Sequence, residues 1–221
     1  MRDSYREQLD DILADLVHMA QVVSSAVRSS TTALLEADLK LAEQVISEDQ
    51  QLDAKQAEIE SRAFSLLARQ APVAGELRTL VATLRMVSEL ERMGDLAAHV
   101  AKIARLRYPE TAVPLALRAN FVRMADVAEK MVVTAGQTLN DRNIQTAQEL
   151  RDRDEEMDDL RRAQFRVLLS DDWADGVEAA VDVALLGRYY ERIADHAASM
   201  GRRIIYVVTG EFPEHEYWPQ P

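Results

Sequence analysis

Apolar residues recur along this chain at alternating steps of three and four. One such row reads Leu77, Leu80, Leu84, Val87, Glu91, Gly94, Ala98, Ala101. Another reads Val177, Ala180, Ala184, Gly187, Glu191, Ala194, Ala198, Gly201. A third is Ala42, Val45, Asp49, Leu52, Gln56, Ile59, Ala63, Leu66, echoed by Ala147, Leu150, Asp154, Met157, Arg161, Gln164, Leu168. This spacing lines one face of an α-helix. Breakers are scarce, with only 7 Gly and 6 Pro, and residues 2–71 contain neither. A single helix of that length would run about 105 Å, so the stretch should fold back on itself. The break is expected near Ala37 and Asp38, where Asp38 can cap a new helix. Pro72 and Gly75 mark the next break, residues 107–114 carry the internal Pro-punctuated linker, and Gly210 ends the helical part. Asn140-Asp141-Arg142-Asn143 and Ser170-Asp171-Asp172 resemble further caps. The pattern predicts an all-α chain of six long helices, three on each side of the linker.

The two halves are copies. Leu16-Val17-His18-Met19-Ala20 aligns with Phe121-Val122-Arg123-Met124-Ala125, an offset of 105 that also places Asp49 on Asp154 and Asp53 on Asp158. Later the offset falls to 100, so that Glu91-Arg92-Met93-Gly94-Asp95 meets Glu191-Arg192-Ile193-Ala194-Asp195. The missing residues fall in a connection, where a true duplication tolerates a gap. The expected organisation is a tandem repeat of two three-helix bundles, residues 1–107 and 115–210, with a linker at 108–114 and a tail at 211–221.

Composition narrows the chemistry. The 221 residues carry 26 Lys plus Arg against 38 Asp plus Glu, a net charge of −12, which disfavours nucleic acid as a partner. The absence of cysteine excludes disulfides, thiolate metal sites and thiol catalysis. No apolar run approaches the roughly 20 residues a bilayer requires, and the start lacks the apolar stretch of a signal peptide, so a cytosolic protein is expected.

The informative residues are the carboxylates inside the apolar rows. Glu91 and Glu191 are the charged members of theirs, and Asp95 and Asp195 follow four residues on along the same face. Asp49 and Asp154 interrupt the other pair of rows, with Asp53 and Asp158 again four residues on. Like charges at this spacing repel, and partial burial adds several kcal/mol per unpaired ion. Four converging carboxylates form an oxygen-rich cation site. His99 extends the first set by one turn and could add nitrogen. The other reading is ordinary salt-bridge lacing, through Arg92 with Asp95, Arg192 with Asp195 and Arg85 with Glu89, or an acidic residue that only fixes register. His18 and His196 are expected to be ordinary helix residues, and Met19, Met86, Met93, Met124, Met131 and Met200 core filler. Arg161-Arg162 and Arg202-Arg203 are expected to be solvated. The acidic, aromatic tail reads as a surface strap in which Tyr217 and Trp218 could anchor a partner. A di-metal enzyme would use Glu-x-x-His pairs, and none occurs in the sequence.

Glu91-Arg92-Met93-Gly94-Asp95 with its repeat, the segment Pro72-Val73-Ala74-Gly75-Glu76-Leu77-Arg78 and the ending Tyr206-Val207-Val208-Thr209-Gly210-Glu211 resemble the PhoU family of phosphate-signalling proteins. The likeness covers nearly the whole chain. It implies two three-helix bundles and a cytoplasmic, non-enzymatic negative regulator of phosphate uptake and of the phosphate-starvation response. The implied role is an adaptor between the ATPase subunit of the phosphate ABC transporter and a membrane sensor histidine kinase, with a homodimer as a further expectation. Some members of that family carry iron or zinc on paired acidic motifs. By position these correspond to Asp49, Asp53, Glu91 and Asp95, and to Asp154, Asp158, Glu191 and Asp195, with iron, zinc, magnesium or manganese as the expected metal. The chain departs from the family pattern at Ala194, which replaces a Gly, and at Leu96, where a His is frequent. A metal-free helical scaffold with the same fold is the alternative.

Overall fold

The computed structural model describes residues 2–211 and contains six helices: α1 (Arg2–Glu36), α2 (Leu39–Gln70), α3 (Ala74–Arg107), α4 (Leu115–Asp141), α5 (Ile144–Leu168) and α6 (Gly176–Thr209). No strand occurs among the described residues. The breaks lie where the sequence places them. Ala37 takes a left-handed φ of 51°, and Asp38 then caps α2 by accepting the Leu41 N–H at 3.0 Å. Asn143 caps α5 in the same way, accepting from Gln145 N at 2.9 Å and Thr146 N at 3.3 Å. Such side chains satisfy amides that a helix start leaves without partners. The expected cap at Ser170-Asp171-Asp172 needs correction. The residue before α6 is Asp175, and its side chain makes no capping bond.

α1, α3, α6 and α4 form a central ring in which each helix packs on the next, while α2 lies against α1 and α3, and α5 against α4 and α6. One continuous apolar core runs through both bundles. All six methionines assigned to filling are buried in it. Close approach of α1 to α4 depends on Gly136, where an added Cβ would stand 2.8 Å from that of Ala20. Tyr190, wholly buried, shares a 2.7 Å hydrogen bond with Thr31 of α1. The rows that open α3 and α6 depart from expectation. Leu77 and Val177 are 41% and 81% exposed.

α3 and α6 run antiparallel. Arg107, at the end of α3, pairs with Glu178 and with buried Asp182 at the start of α6, the Nη2–Oδ1 distance to Asp182 being 3.1 Å. Midway, Glu89 of α3 accepts from Ser199 at 3.0 Å and Arg203 at 3.1 Å, and lies 2.6 Å from His196 Nδ1.

The two copies fill equivalent space differently. Ile59 and Val87 in the first bundle correspond to Gln164 and Gly187 in the second. Gln164 is fully buried and donates to the Val183 carbonyl at 2.9 Å. A Cβ on Gly187 would stand 2.0 Å from its Oε1. Gly187→Ala should therefore destabilise the fold by about 1–3 kcal/mol through overpacking. Pairing it with Gln164→Ala should recover much of the loss relative to the sum of the singles, as a denaturant double-mutant cycle would measure. Additive costs would show that the two side chains do not share this space.

Candidate functional site

The first acidic set lies along the contact between α2 and α3. Gly94 makes the contact close, since a Cβ there would stand 2.4 Å from Leu52 Cδ1 and 3.8 Å from Asp49 Oδ1. The carboxylates feel one another across this gap. Burial raises the Asp49 pKa, Asp95 and Asp53 raise it further, and Lys102 and His99 oppose the rise. Burial likewise raises Glu91, against the opposing charge of Arg92 and with the added repulsion of Asp53, Asp95 and Asp49. Asp53 sits at the exposed rim. His99 Nδ1 is 3.7 Å from Asp95 Oδ1. Its ring stacks on Tyr189 of α6, with centroids 5.4 Å apart, so the set reaches the second bundle.

The second set lies between α5 and α6, where Ala194 replaces Gly94. The Cβ is accommodated because Leu52 is replaced by Met157, which is buried and more pliant. Here Asp154 is pushed up to about 6, by burial first and then by Asp195 and Asp158, with Arg202 opposing. Asp195 is raised by burial and by Glu191. Glu191 itself is neutralised: it accepts from Arg188 Nη1 at 2.7 Å and forms an ion pair with Arg161. The equivalent positions in the first bundle are Ser88 and Gln56, and Gln56 is turned to Glu60 at 2.9 Å. The duplicated carboxylates are thus not equivalent. In the second set arginines already supply positive charge, whereas Arg92 approaches Glu91 of the first set only to 3.6 Å.

The eight sequence-derived residues therefore gather into two groups of four, one per bundle. Among the described residues no three His, Asp or Glu groups converge as ligands of one ion. The first set fits a hard cation in donor type and in unneutralised charge, and it would have to close by side-chain rotation. The second set fits poorly, because guanidinium groups occupy Glu191.

Several expectations are corrected. Glu89 is bound across the bundle contact, by His196, Ser199 and Arg203 of α6. His196, expected to be ordinary, is one of its partners. Arg161 and Arg203 are engaged rather than merely solvated, while Arg162 pairs on the surface with Asp159 at 2.5 Å. Arg92 lies against Glu91 rather than Asp95. The Glu89 cluster and the Arg107–Asp182 pair had one detectable signal. In the row Ala82, Met86, Glu89, Met93 and its copy Asp182, Leu186, Tyr189, Ile193, each half carries a single acid, at non-matching positions.

The raised Asp154 gives a pH test. Its carboxyl binds a proton more readily folded than unfolded, so its ionised form costs stability above about pH 6. That cost shrinks as the pH falls and vanishes below the unfolded value of about 3.9. For a half-exposed group, solvent screening reduces the cost to about 1–2 kcal/mol. Asp154→Asn should stabilise the chain by that amount at pH 7.5 and leave it unchanged at pH 3.5, as read by denaturant unfolding. Equal stability of variant and parent at pH 7.5 would contradict the electrostatic picture.

Comparison with known proteins gives one answer across sequence and structure. The PhoU domain matches residues 16–104 and 121–204, once in each bundle. The chain is 46% identical, over 96% of its length and 100% of the relative's, to phosphate-specific transport system accessory protein PhoU homolog 2 of Mycobacterium tuberculosis. It is 33% identical to the PhoU homolog of Caulobacter vibrioides, covering 94% of this chain and 91% of that one. The crystal structure of PhoU from Pseudomonas aeruginosa superimposes with a TM-score of 0.85 at 26% identity, over 94% of this chain and 100% of that chain. With both repeats matched and the likeness extending over nearly the whole length, this chain belongs to the PhoU family.

Proposed function

We propose that this protein is a non-enzymatic accessory and negative regulator of phosphate-specific transport. In this reading it works in the cytoplasm as an adaptor between the ATPase subunit of the phosphate ABC transporter and a sensor histidine kinase. It holds the kinase quiet when phosphate is plentiful. The observation that carries the reading is the near-full-length likeness to proteins named as accessories of phosphate-specific transport. Among the described residues no helix is long and apolar enough to cross a membrane, which suits action through membrane-bound partners. The net charge of −12 suits partner surfaces that are basic.

We further propose that the first acidic set, Asp49, Asp53, Glu91 and Asp95, holds an iron, zinc, magnesium or manganese ion. Such an ion would supply fixed positive charge between α2 and α3 and so set the shape a partner meets. The reading is supported by the raised pKa values of Asp49 and Glu91 and by the absence of counterparts to Arg161 and Arg188 there. The lack of three converging ligands among the described residues favours a second reading, a metal-free interaction scaffold.

Two measurements test these proposals. Tagged protein captured from gently solubilised, phosphate-replete cells should retain the transporter ATPase or the sensor kinase, and recovery of neither from folded protein would overturn the adaptor role. Glu91→Ala with Asp95→Ala should abolish bound cation as measured by elemental analysis. Unchanged metal content would remove this site, and a metal-free parent would establish the scaffold reading.

A further inference from the structure

Tyr217 and Trp218, the expected partner anchors, lie outside the described residues. A recess suited to a partner lies between α1 and α2, a groove of about 320 Å³ that ends at Asp49 and Gly94. Its floor is apolar. Val45 and Leu52 there are buried, and Ala26 and Leu41 pack against the core. Its rim carries Ser25, Gln44 and Glu48, all exposed, and no lysine or arginine lines it. Glu48 accepts a 2.9 Å hydrogen bond from Gln44 on one oxygen, which leaves the other open. Lys102 and His99 act on Asp49 from α3, but its carboxylate makes no hydrogen bond or ion pair among the described residues.

The second copy is built differently at the same positions. Ala26 becomes Met131, Leu52 becomes Met157 and Gly94 becomes Ala194, all three fully buried. At the rim, Ser25 becomes Lys130 and Glu48 becomes Arg153. The second copy also gains Glu149 for Gln44 and Glu156 for Gln51, but Arg123 already holds Glu156 at 2.7 Å. The first copy thus keeps open volume and unneutralised acid where the second has bulk and positive charge. Duplication alone would have left the two alike.

An arginine side chain matches both parts of the groove. Its methylene stem covers apolar surface while its guanidinium stays with polar groups. Five N–H donors in a planar fork suit several oxygen acceptors at once. A volume of about 300 Å³ is at the small end for ligand pockets, the size for one long side chain.

We propose that the α1–α2 groove receives an exposed arginine of a partner protein, its stem over Val45 and Leu52 and its guanidinium between Glu48 and Asp49. The inference rests on the reading of this chain as one that acts through partners, and it does not need an ion at the acidic set.

The test uses the isotope-labelled full chain at low salt with EDTA present, followed by residue-resolved NMR. The probe is the peptide N-acetyl-Ala-Ala-Arg-Ala-Ala-amide. EDTA removes any ion from Asp49, so the outcome is separate from the elemental analysis of metal, and no transporter or kinase is needed, so it is separate from the cell capture. Saturable shifts should centre on Ser25, Gln44, Glu48 and Asp49, with a Kd on the order of 1 mM, as suits one anchoring side chain. Neutral citrulline in place of the peptide's arginine removes them, and lysine weakens binding several-fold. Ser25→Lys and Glu48→Arg each bring the second copy's charge to an exposed position. Each should weaken the arginine peptide about tenfold, with helicity retained by circular dichroism. The proposal is overturned by the absence of saturable shifts, by an equal response to the citrulline or lysine peptide, by full binding in both variants, or by equal shifts around Lys130 and Arg153.

Discussion

Repulsion among carboxylates pressed between packed helices is the constraint around which this molecule is arranged. Each bundle places two aspartates of its second helix against a glutamate and an aspartate of its third. Burial and like charge act together there, raising Asp49 and Glu91 in one bundle and Asp154 and Asp195 in the other. A fold that carries such groups needs positive charge nearby. The two copies meet the need differently. The second bundle supplies Arg161 and Arg188 to Glu191, while the first offers Lys102, His99 and a distant Arg92. The proposed cation belongs to the first bundle for this reason.

The same charges couple the site to the contact between the halves. His99 follows Asp95 by one turn and stacks on Tyr189 of the other bundle. His196, the residue after Asp195, meets Glu89, whose pKa is lowered by its hydrogen bonds from His196, Arg203 and Ser199, overcoming burial. The first acidic set therefore adjoins the antiparallel α3–α6 seam through His99.

Much of the fold was legible because local chemistry determined it. Asp38 and Asn143 carry capping side chains immediately before apolar rows, and both cap as expected. Duplication made the helix count and the eight acidic positions visible. Comparing copies, however, finds what they share and misses what meets across the axis relating them. Glu89 with His196, and Arg107 with Asp182, join non-equivalent positions from opposite halves, so no repeat marks them. Asp175 displaced the expected cap of α6 because the segment after α5 runs several residues further before helix resumes. Leu77 and Val177 fit the apolar rows yet are exposed, since a row predicts a face and not whether a side chain at the helix start is covered. The inequivalence of the acidic sets was present in the sequence as Gln56 against Arg161 and Ser88 against Arg188, but only the packed structure shows those arginines reaching Glu191.

The most direct measurement is a manganese(II) titration of the isotope-labelled full chain followed by residue-resolved paramagnetic broadening. Broadening should begin around Asp49, Asp53, Glu91 and Asp95 while the resonances around Asp154, Asp158, Glu191 and Asp195 stay sharp. Arg161→Gln should bring the second set closer to the behaviour of the first. Equal broadening of both sets in the unaltered chain, or broadening that starts around Glu191, would contradict the claim that the duplicated carboxylates have diverged into one open and one arginine-filled site.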